Sequence, residues 1–537
     1  MVSVFNLELD QLDVKTAFLH GNLEEEIYMK QPEGFVDSEK SDHVCFLKKS
    51  LYGLKQSPRQ WYKRFDAFMV SHEFIRNQYD SCVYFKTLPD GSFIYLLLYV
   101  DDMLIAAKNR AEINKLKQLL SSEFEMKDLG AAKKILGMEI WRDRDAGLLY
   151  VSQQKYIEKL MQAFHMDHSK PVSTPLAQHF KFDHSTLPST DEEVEYMKSV
   201  PYSSVVGSLM YAMVCTRPDL AFAVSVVSRF MSNPGKAHWE AVKWIMRYLK
   251  GSSSVCLVYG NGDVSSGLVG FTDSDHGGDL MKRRSLTCYI FTLFGCAISW
   301  RASLQPTVAL STTEAEYMSL TEGNPVYHER TKHIDVRLNF IRDVIEEKLF
   351  SIEKVATEVN PADMLTKPIT TEKFKHSLDL VRNHSLAGTM GYMAPECLMK
   401  GNASKESDVY SFGVVALEIC CGRKSVEPKA KENQIKLVEW VWTLYGVGKL
   451  LEAADPRLCA DFDEKQIERL MIVGLWCAHP DCNIRPAIRQ AVNVLNYEAS
   501  LPVLPSNMPV PMYYAPPENT YAFSLQASYT VTISERG

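Results

Sequence analysis

The stretch Phe93-Ile-Tyr-Leu-Leu-Leu-Tyr-Val-Asp-Asp-Met-Leu-Ile-Ala-Ala107 decides how the first part of the chain is read. Phe93 to Val100 is wholly apolar or aromatic and reads as a strand, with Met103-Leu-Ile-Ala-Ala107 as its partner. Asp101 and Asp102 then fall at a two-residue turn, which predicts a tight antiparallel hairpin. Asp-Asp alone is an ordinary turn former. Downstream, Ile113, Leu116, Leu119 and Leu120 recur at helical spacing, which predicts a helix over 112–124. Upstream, Asp13 ends the apolar stretch Leu9-Asp-Gln-Leu-Asp-Val14. A strand end facing a hairpin turn would hold carboxylates on a rigid sheet. Such oxygens suit Mg²⁺, and nucleotidyl transfer uses two metal ions about 3.5–4 Å apart.

Composition limits the remaining possibilities. The chain has 537 residues, 46% hydrophobic and 23% charged, with 59 Lys+Arg against 66 Asp+Glu and a net charge of −7. That length exceeds one core, and these proportions exclude a wholly disordered, collagenous or coiled-coil chain. The charge excludes a globally basic nucleic-acid binder but permits a local basic groove. The run Phe93–Val100 falls well short of the ~20 residues that span a bilayer. The opening residues carry Glu8 and Asp10 where a signal peptide needs an apolar core. No CxxC pair occurs among the 12 cysteines, so a reduced intracellular setting, cytoplasmic or nuclear, is expected. Residues 177–200 are polar and acidic and read as a linker. The tail beyond 500, rich in proline to Pro517, should be extended and without its own core.

The segments QLDVKTAFLHGNLEEEIYMKQPEGF, LYGLKQSPRQWYKRFD and YVDD, in this order and spacing, resemble the reverse transcriptase of copia-type retrotransposons. The resemblance implies that Asp13, Asp101 and Asp102 are a catalytic, metal-binding triad. It also implies that Phe18 is the aromatic gate against a ribose 2′-hydroxyl, although alone it is as readily a core aromatic. Gly53 and Gln56, with Ser57-Pro58, fall where the family contacts nucleotide and template. Glu24-Glu25-Glu26 reads as a solvated helix face. The chain opens twelve residues before Asp13, where the family has a fingers segment, so weak synthesis is expected.

Residues 201–301 carry ten Lys/Arg against six Asp/Glu. Their helical part resembles the family's thumb-like connection. Arg247 and Lys250, with Trp244 and Tyr248 beside them on the same stretch, fit either a phosphate-tracking face or a solvated helix face over a Trp core. GFTDSDHGGD, STTEAEYMSL and NPADMLTKPI resemble the copia-type RNase H, which implies Asp273, Glu316 and Asp363 as catalytic metal ligands on Mg²⁺. Asp275 and Glu314 read as neighbours outside the ligand set. Leu320-Thr-Glu-Gly-Asn324 joins two motifs that the family separates by a helix and a central strand. An unpaired sheet edge and little or no cleavage are therefore expected.

GTMGYMAPECL (388–398), SDVYSFGVVALEICCGR (407–423) and CAHPDCNIRPAIRQAVNVL (477–495) resemble the C-terminal lobe of plant L-type lectin receptor kinases. The resemblance implies a structural pair between Glu396 and Arg485 and a catalytic-loop anchor at Asp408. No HRD or DFG occurs in the chain, so no ATP site is expected.

The expected architecture is multidomain. Residues 1–176 form an α/β reverse-transcriptase palm, and 177–265 a linker and helical connection. Residues 266–380 form an incomplete α+β RNase H-like domain, 384–500 an all-α kinase C-lobe remnant, and 501–537 a Pro-rich tail. Mg²⁺ is the implied cofactor, and RNA template and RNA–DNA hybrid the implied partners, with no membrane segment. Two other readings stay open: a receptor-kinase gene product interrupted by a retroelement, and a catalytically dead interaction module.

Overall fold

The computed structural model describes residues 1–260, 267–322, 350–381, 383–385, 394, 404–425, 436–458, 463–509 and 529–533. The chain divides into two compact units, Met1–Ser152 with Val258–Asp263, and Gln153–Leu257 with Val264–Gly537.

The first unit is mixed α/β. Its strands are β1 (Glu8–Val14), β2 (Tyr28–Lys30), β3 (Val44–Phe46), β4 (Ile75–Arg76), β5 (Val83–Thr87), β6 (Phe93–Tyr99), β7 (Asp102–Ala107), β8 (Met126–Ala131), β9 (Lys134–Ile135), β10 (Met138–Asp143) and β11 (Leu148–Ser152). Helices α1 (Ser57–Ser71) and α2 (Arg110–Glu123) accompany them. Six strands pair in the order β4-β5-β6-β7-β1-β8. Ile94, Leu96 and Leu98 of β6 are buried at alternate positions, as a strand with one core-facing side requires. They pack with Met103 and Ile105 of β7, Trp61, Phe65 and Met69 of α1, and Ile113, Leu116 and Leu120 of α2. The Asn109 side chain caps α2 by accepting from Ala111 N–H.

The hairpin differs from the expected one by a single residue. Tyr99 faces Asp102 across the ladder, so Val100 and Asp101 make the turn and Asp102 already belongs to β7. Val100 takes the left-handed conformation, φ 59°. A positive φ is costly for a β-branched residue, and the buried Trp61 indole N–H, donating to Val100 O at 2.6 Å, holds that turn.

In the second unit, helices α3 (Gln154–Ala163), α4 (Asp191–Ser199), α5 (Tyr202–Cys215), α6 (Ala221–Ser228) and α7 (Lys236–Gly251) precede strand β12 (Val255–Tyr259). The expected linker is in fact packed. Thr190 caps α4 by accepting from Glu193 N–H, and buried Phe182 lies 5.5 Å from the ring of Phe230 and 4.8 Å from that of His238. At the turn before α6, buried Arg217 forks onto Asp219, which also accepts from Tyr248 Oη at 2.6 Å. A sheet then forms from β13 (Leu268–Ser274), β14 (Leu286–Leu293), β15 (Cys296–Leu304), β16 (Phe350–Lys354) and, after the short β17 (Asn383–Ser385), the C-terminal β18 (Tyr529–Ile533). The strand order is β15-β14-β13-β18-β16, with helix α8 (Thr312–Glu322) against β13 and β14. The expected open edge beside β13 is therefore occupied by β18, and the tail does not end as an unpaired extension.

Helix α9 (Thr371–Leu380) leads to a helical C-terminal region: α10 (Lys405–Cys421), α11 (Leu437–Gly446), α12 (Glu464–Cys477) and α13 (Ile488–Leu495). The chain is thus multidomain, with a mixed α/β N-terminal region. Helices α10 and α12 approach closely at two glycines, since a Cβ on Gly413 would stand 2.6 Å from Gly474 O. Val414 and Leu417 are buried, while Val415 and Ile419 on the other side of α10 remain 41% and 68% exposed. Leu504 of the tail is buried in this core, and Trp442 donates its indole N–H to Pro505 O at 2.9 Å.

Candidate active site

In the first unit, strand pairing brings together the three aspartates singled out by the sequence. Asp13 and Asp102 are direct partners in the β1–β7 ladder, and Val14 N–H donates to Asp101 O at 2.9 Å. Burial raises the Asp102 carboxyl above its ordinary range, and the charges of Asp101 and Asp13 push it further. The Gln11 amide, donating to Asp102 Oδ1 at 3.3 Å, pulls the other way. Among the described residues, no lysine or arginine pairs with Asp13, Asp101 or Asp102. Three residues before Asp13 on the same strand, basic groups are instead drawn to Asp10, whose buried carboxylate takes Lys117 Nζ at 2.6 Å, shared with Asp128. Phe18 lies in the 3-10 turn Ala17–His20, half-buried, 4.6 Å from the exposed Tyr52 ring. Gly53 has φ +95°, which only glycine adopts without strain, and Gln56 stands at the start of α1. Glu24 is exposed and paired with Lys63 at 2.5 Å. Gln11, Tyr52 and Trp61 are the neighbours that sequence reasoning missed.

The second unit holds another acidic centre. Asp273 on β13 and Asp363 in the 3-10 turn Pro361–Leu365 are both fully buried. Lys367 Nζ lies between them, 3.0 Å from Asp363 Oδ2 and 3.7 Å from Asp273 Oδ2, and Lys373 Nζ is 2.6 Å from Asp363 Oδ2. Thr366 Oγ1 donates to Asp273 Oδ2. Glu316, on α8, is half-buried. Burial pushes the Cys288 thiol well up, and the charges of Asp273, Glu316 and Asp363 add to that, so all three lie within electrostatic reach of one sulfur. Asp275 and Glu314 use their carboxylates on backbone N–H groups, those of Leu286 and Leu310.

Metal fit differs between the two centres. Among the described residues, no three His, Cys, Asp or Glu side chains close around a common point as a metal cage. At the first centre this suits Mg²⁺, which is commonly held by one or two carboxylates together with substrate phosphates and water. Its carboxylates are adjacent, the charges of Asp13 and Asp101 bear on Asp102, and among the described residues no lysine competes for them. At the second centre the Lys367 ammonium already sits where a cation shared by Asp273 and Asp363 would lie, so those residues do not fit a metal in this arrangement.

The expected phosphate-tracking residues are engaged within their own unit. Arg247 Nε donates to Lys170 O at 2.7 Å, Lys250 Nζ to Ser169 O at 2.7 Å and Trp244 Nε1 to Thr174 O at 2.9 Å. In the C-terminal region, Arg485 is buried and donates to His479 O, Pro480 O and Glu406 O, with Tyr410 below its guanidinium. Asp408 is exposed in the first turn of α10. Glu396 lies outside the described residues.

Residues 2–178 match the family described as reverse transcriptase (RNA-dependent DNA polymerase), and residues 371–495 match protein tyrosine and serine/threonine kinase. A retrovirus-related Pol polyprotein from transposon TNT 1-94 of Nicotiana tabacum is 52% identical, over 72% of this chain and 32% of that protein. A transposon Ty5-1 protein of Saccharomyces cerevisiae is 34% identical, over 58% of this chain and 98% of that protein. The L-type lectin-domain containing receptor kinase IX.1 of Arabidopsis thaliana is 57% identical, over 28% of this chain and 23% of that protein. The chain belongs to the copia-type retrotransposon Pol family, and it joins a segment of such a polyprotein to a segment of a receptor-like kinase domain. It spans about a third of the tobacco polyprotein and about a quarter of the kinase. Among the described residues, no helix is long and apolar enough to cross a membrane.

Proposed function

We propose that the first unit carries the palm of an RNA-directed DNA polymerase. Asp13, Asp101 and Asp102 would hold Mg²⁺, and Phe18, Gly53 and Gln56 would face nucleotide and template. The observation that carries this reading is the register: Asp13 opposite Asp102, with Asp101 at the turn and, among the described residues, no basic partner on any of the three. Asp102, raised by burial and by its acidic neighbours, is relieved of repulsion when a cation or proton arrives. Bound there, a metal pair would activate a primer 3′-hydroxyl and steady the pyrophosphate leaving group. The β1–β7 ladder and the Trp61–Val100 bond keep the carboxylates in register, the preorganisation that such chemistry depends on. The partners are a nucleic-acid template and primer.

The second acidic centre is an RNase H-like remnant held shut. Lys367 and Lys373 neutralise its buried aspartates, and no cleavage step is assigned to it. The C-terminal region is a kinase C-lobe remnant in which Arg485 orders the loop before α13, with no ATP site. Titration with Mn²⁺, followed by electron paramagnetic resonance, tests the polymerase reading. Saturable binding lost in an Asp13→Asn/Asp102→Asn chain supports it, and equal binding in both chains replaces it.

A further inference from the structure

The sheet that carries Asp273 is assembled from three distant pieces of chain. β13, β14 and β15 follow one another as antiparallel neighbours, whereas β16 lies two places beyond β13. Between them runs β18, from the other end of the unit. It pairs in parallel with β13, Val269 opposite Thr530 through Thr272 opposite Ile533. On its other side it pairs in parallel with β16, Phe350 opposite Tyr529 through Lys354 opposite Ile533.

Among the described residues, β16 has no other strand neighbour. With strands about 4.8 Å apart, β13 and β16 stand roughly 9.6 Å from each other, beyond any direct backbone hydrogen bond. Without the middle strand, both facing edges lose their partners, a loss that native sheets avoid. The gap is therefore one strand wide, and the strand that fills it runs parallel to both walls. The sequence suits that position: Tyr-Thr-Val-Thr-Ile is aromatic or β-branched throughout, uncharged and free of proline and glycine. Ile533 reaches the register of Thr272, the residue before Asp273, so the inserted strand braces the β13 end that presents this carboxylate.

We infer that the space between β13 and β16 is a strand-acceptor site whose occupant is this chain's own segment Tyr529–Ile533. Main-chain hydrogen bonds on both sides supply the binding, as in β-strand addition. The C-terminus is then a structural part of the Asp273 centre, whatever chemistry that centre performs.

A chain ending at residue 528 tests this against the full-length protein. The expected result is a melting temperature lower by several degrees, with faster hydrogen exchange at 269–272 and 350–354. A synthetic peptide covering 526–537 should restore both saturably, and the same peptide with Val531→Pro should not, because proline removes a ladder N–H. Val531→Pro in the full-length chain should reproduce the loss without shortening the protein. Unchanged exchange at 269–272 in the shortened chain would overturn the assignment. So would a full-length dimer that becomes monomeric on truncation, because the strand would then come from a second copy.

Discussion

Replacing Lys367 by methionine separates a closed acidic centre from a metal site awaiting its ion. The methionine keeps an unbranched apolar stem of similar reach and removes the ammonium. In the native chain that ammonium lies 3.0 Å from Asp363 Oδ2 and 3.7 Å from Asp273 Oδ2, and both carboxylates are fully buried. Removing one partner of a fully buried pair costs about 3–5 kcal/mol, because the other charge stays desolvated. Here three things reduce the loss. Lys373 still covers Asp363 at 2.6 Å, Thr366 still donates to Asp273, and the Lys367 side chain is 25% exposed and therefore screened. A cost of about 1–3 kcal/mol follows. At 2–4 °C per kcal/mol for a domain of 150–250 residues, the melting temperature should fall by roughly 2–12 °C. The two aspartates would then present oxygens to a hard cation. Mg²⁺ at about 100 times its dissociation constant would return ~2.7 kcal/mol. The assay is thermal melting of the wild type, Lys367→Met and Lys367→Met/Asp273→Asn across an Mg²⁺ titration. The expected pattern is an Mg²⁺ stabilisation of the single variant that exceeds the shift shared by the wild type and the double variant, which the first centre alone supplies. Equal Mg²⁺ stabilisation of the wild type, or a single variant that melts unchanged, would refute the claim that Lys367 closes the site.

Two further outcomes are expected. His238 is buried between Phe182 and Phe230 and accepts Gly235 N–H, and burial pushes its pKa from 6.5 down to about 4. The unfolded chain therefore binds the proton first. Stability is fully present above about pH 6.5 and is lost as pH falls toward 4, by roughly 3 kcal/mol from this group. His238→Gln should flatten that window in pH-dependent denaturant melts, and an unchanged slope would assign the acid sensitivity elsewhere. The C-terminal region should add nothing to nucleotide binding, so Mg²⁺-ATP should shift the melting of the full chain no more than that of a chain lacking 384–500. A saturable rise of several degrees, lost on deleting 384–500, would show a nucleotide site that the motifs do not contain.

Legibility in the sequence followed the range of the interaction. The β6–β7 hairpin and helix α2 were readable because alternation, turn residues and helical spacing are local signals. The register slipped by one because Asp-Asp is the better turn former, whereas the actual turn uses Val100 in a positive φ backed by Trp61, a residue far away in sequence. The pairing of Asp13 with Asp102 has no compositional signature and came only through the family's motifs. Residues 177–200 read as a linker on their acidity, although Ser189-Thr-Asp-Glu-Glu193 is a helix start with a capping threonine. Lys367 and Lys373 stand four and ten residues after Asp363 and were available as partners. The arrival of β18 beside β13 was not, because a parallel pairing between such distant segments leaves no local trace.

The two acidic centres show why counting carboxylates does not assign a site. Each gathers acidic residues on a sheet within one compact unit, and family motifs mark both. What separates them is the nearest positive charge. At the first centre, buried Lys117 is engaged by Asp10 and Asp128, and the charges of Asp101 and Asp13 bear on Asp102, so under the proposed reading the site would gain from a cation that arrives from solution. At the second centre the chain supplies that cation itself, and a metal must displace an ammonium already paired with two buried carboxylates. Displacement forfeits the existing ion pairs and leaves Lys367 to find new partners, so equal ligand chemistry gives unequal affinity. The same reasoning applies to Arg485, whose guanidinium donates to three backbone carbonyls within its own region. These bonds tie the loop before α13 to the first turn of α10, a structural role that needs no phosphate chemistry. Both segments of this chain therefore retain what neighbouring residues can stabilise, and the chemistry open to each centre is set by where its compensating charge comes from.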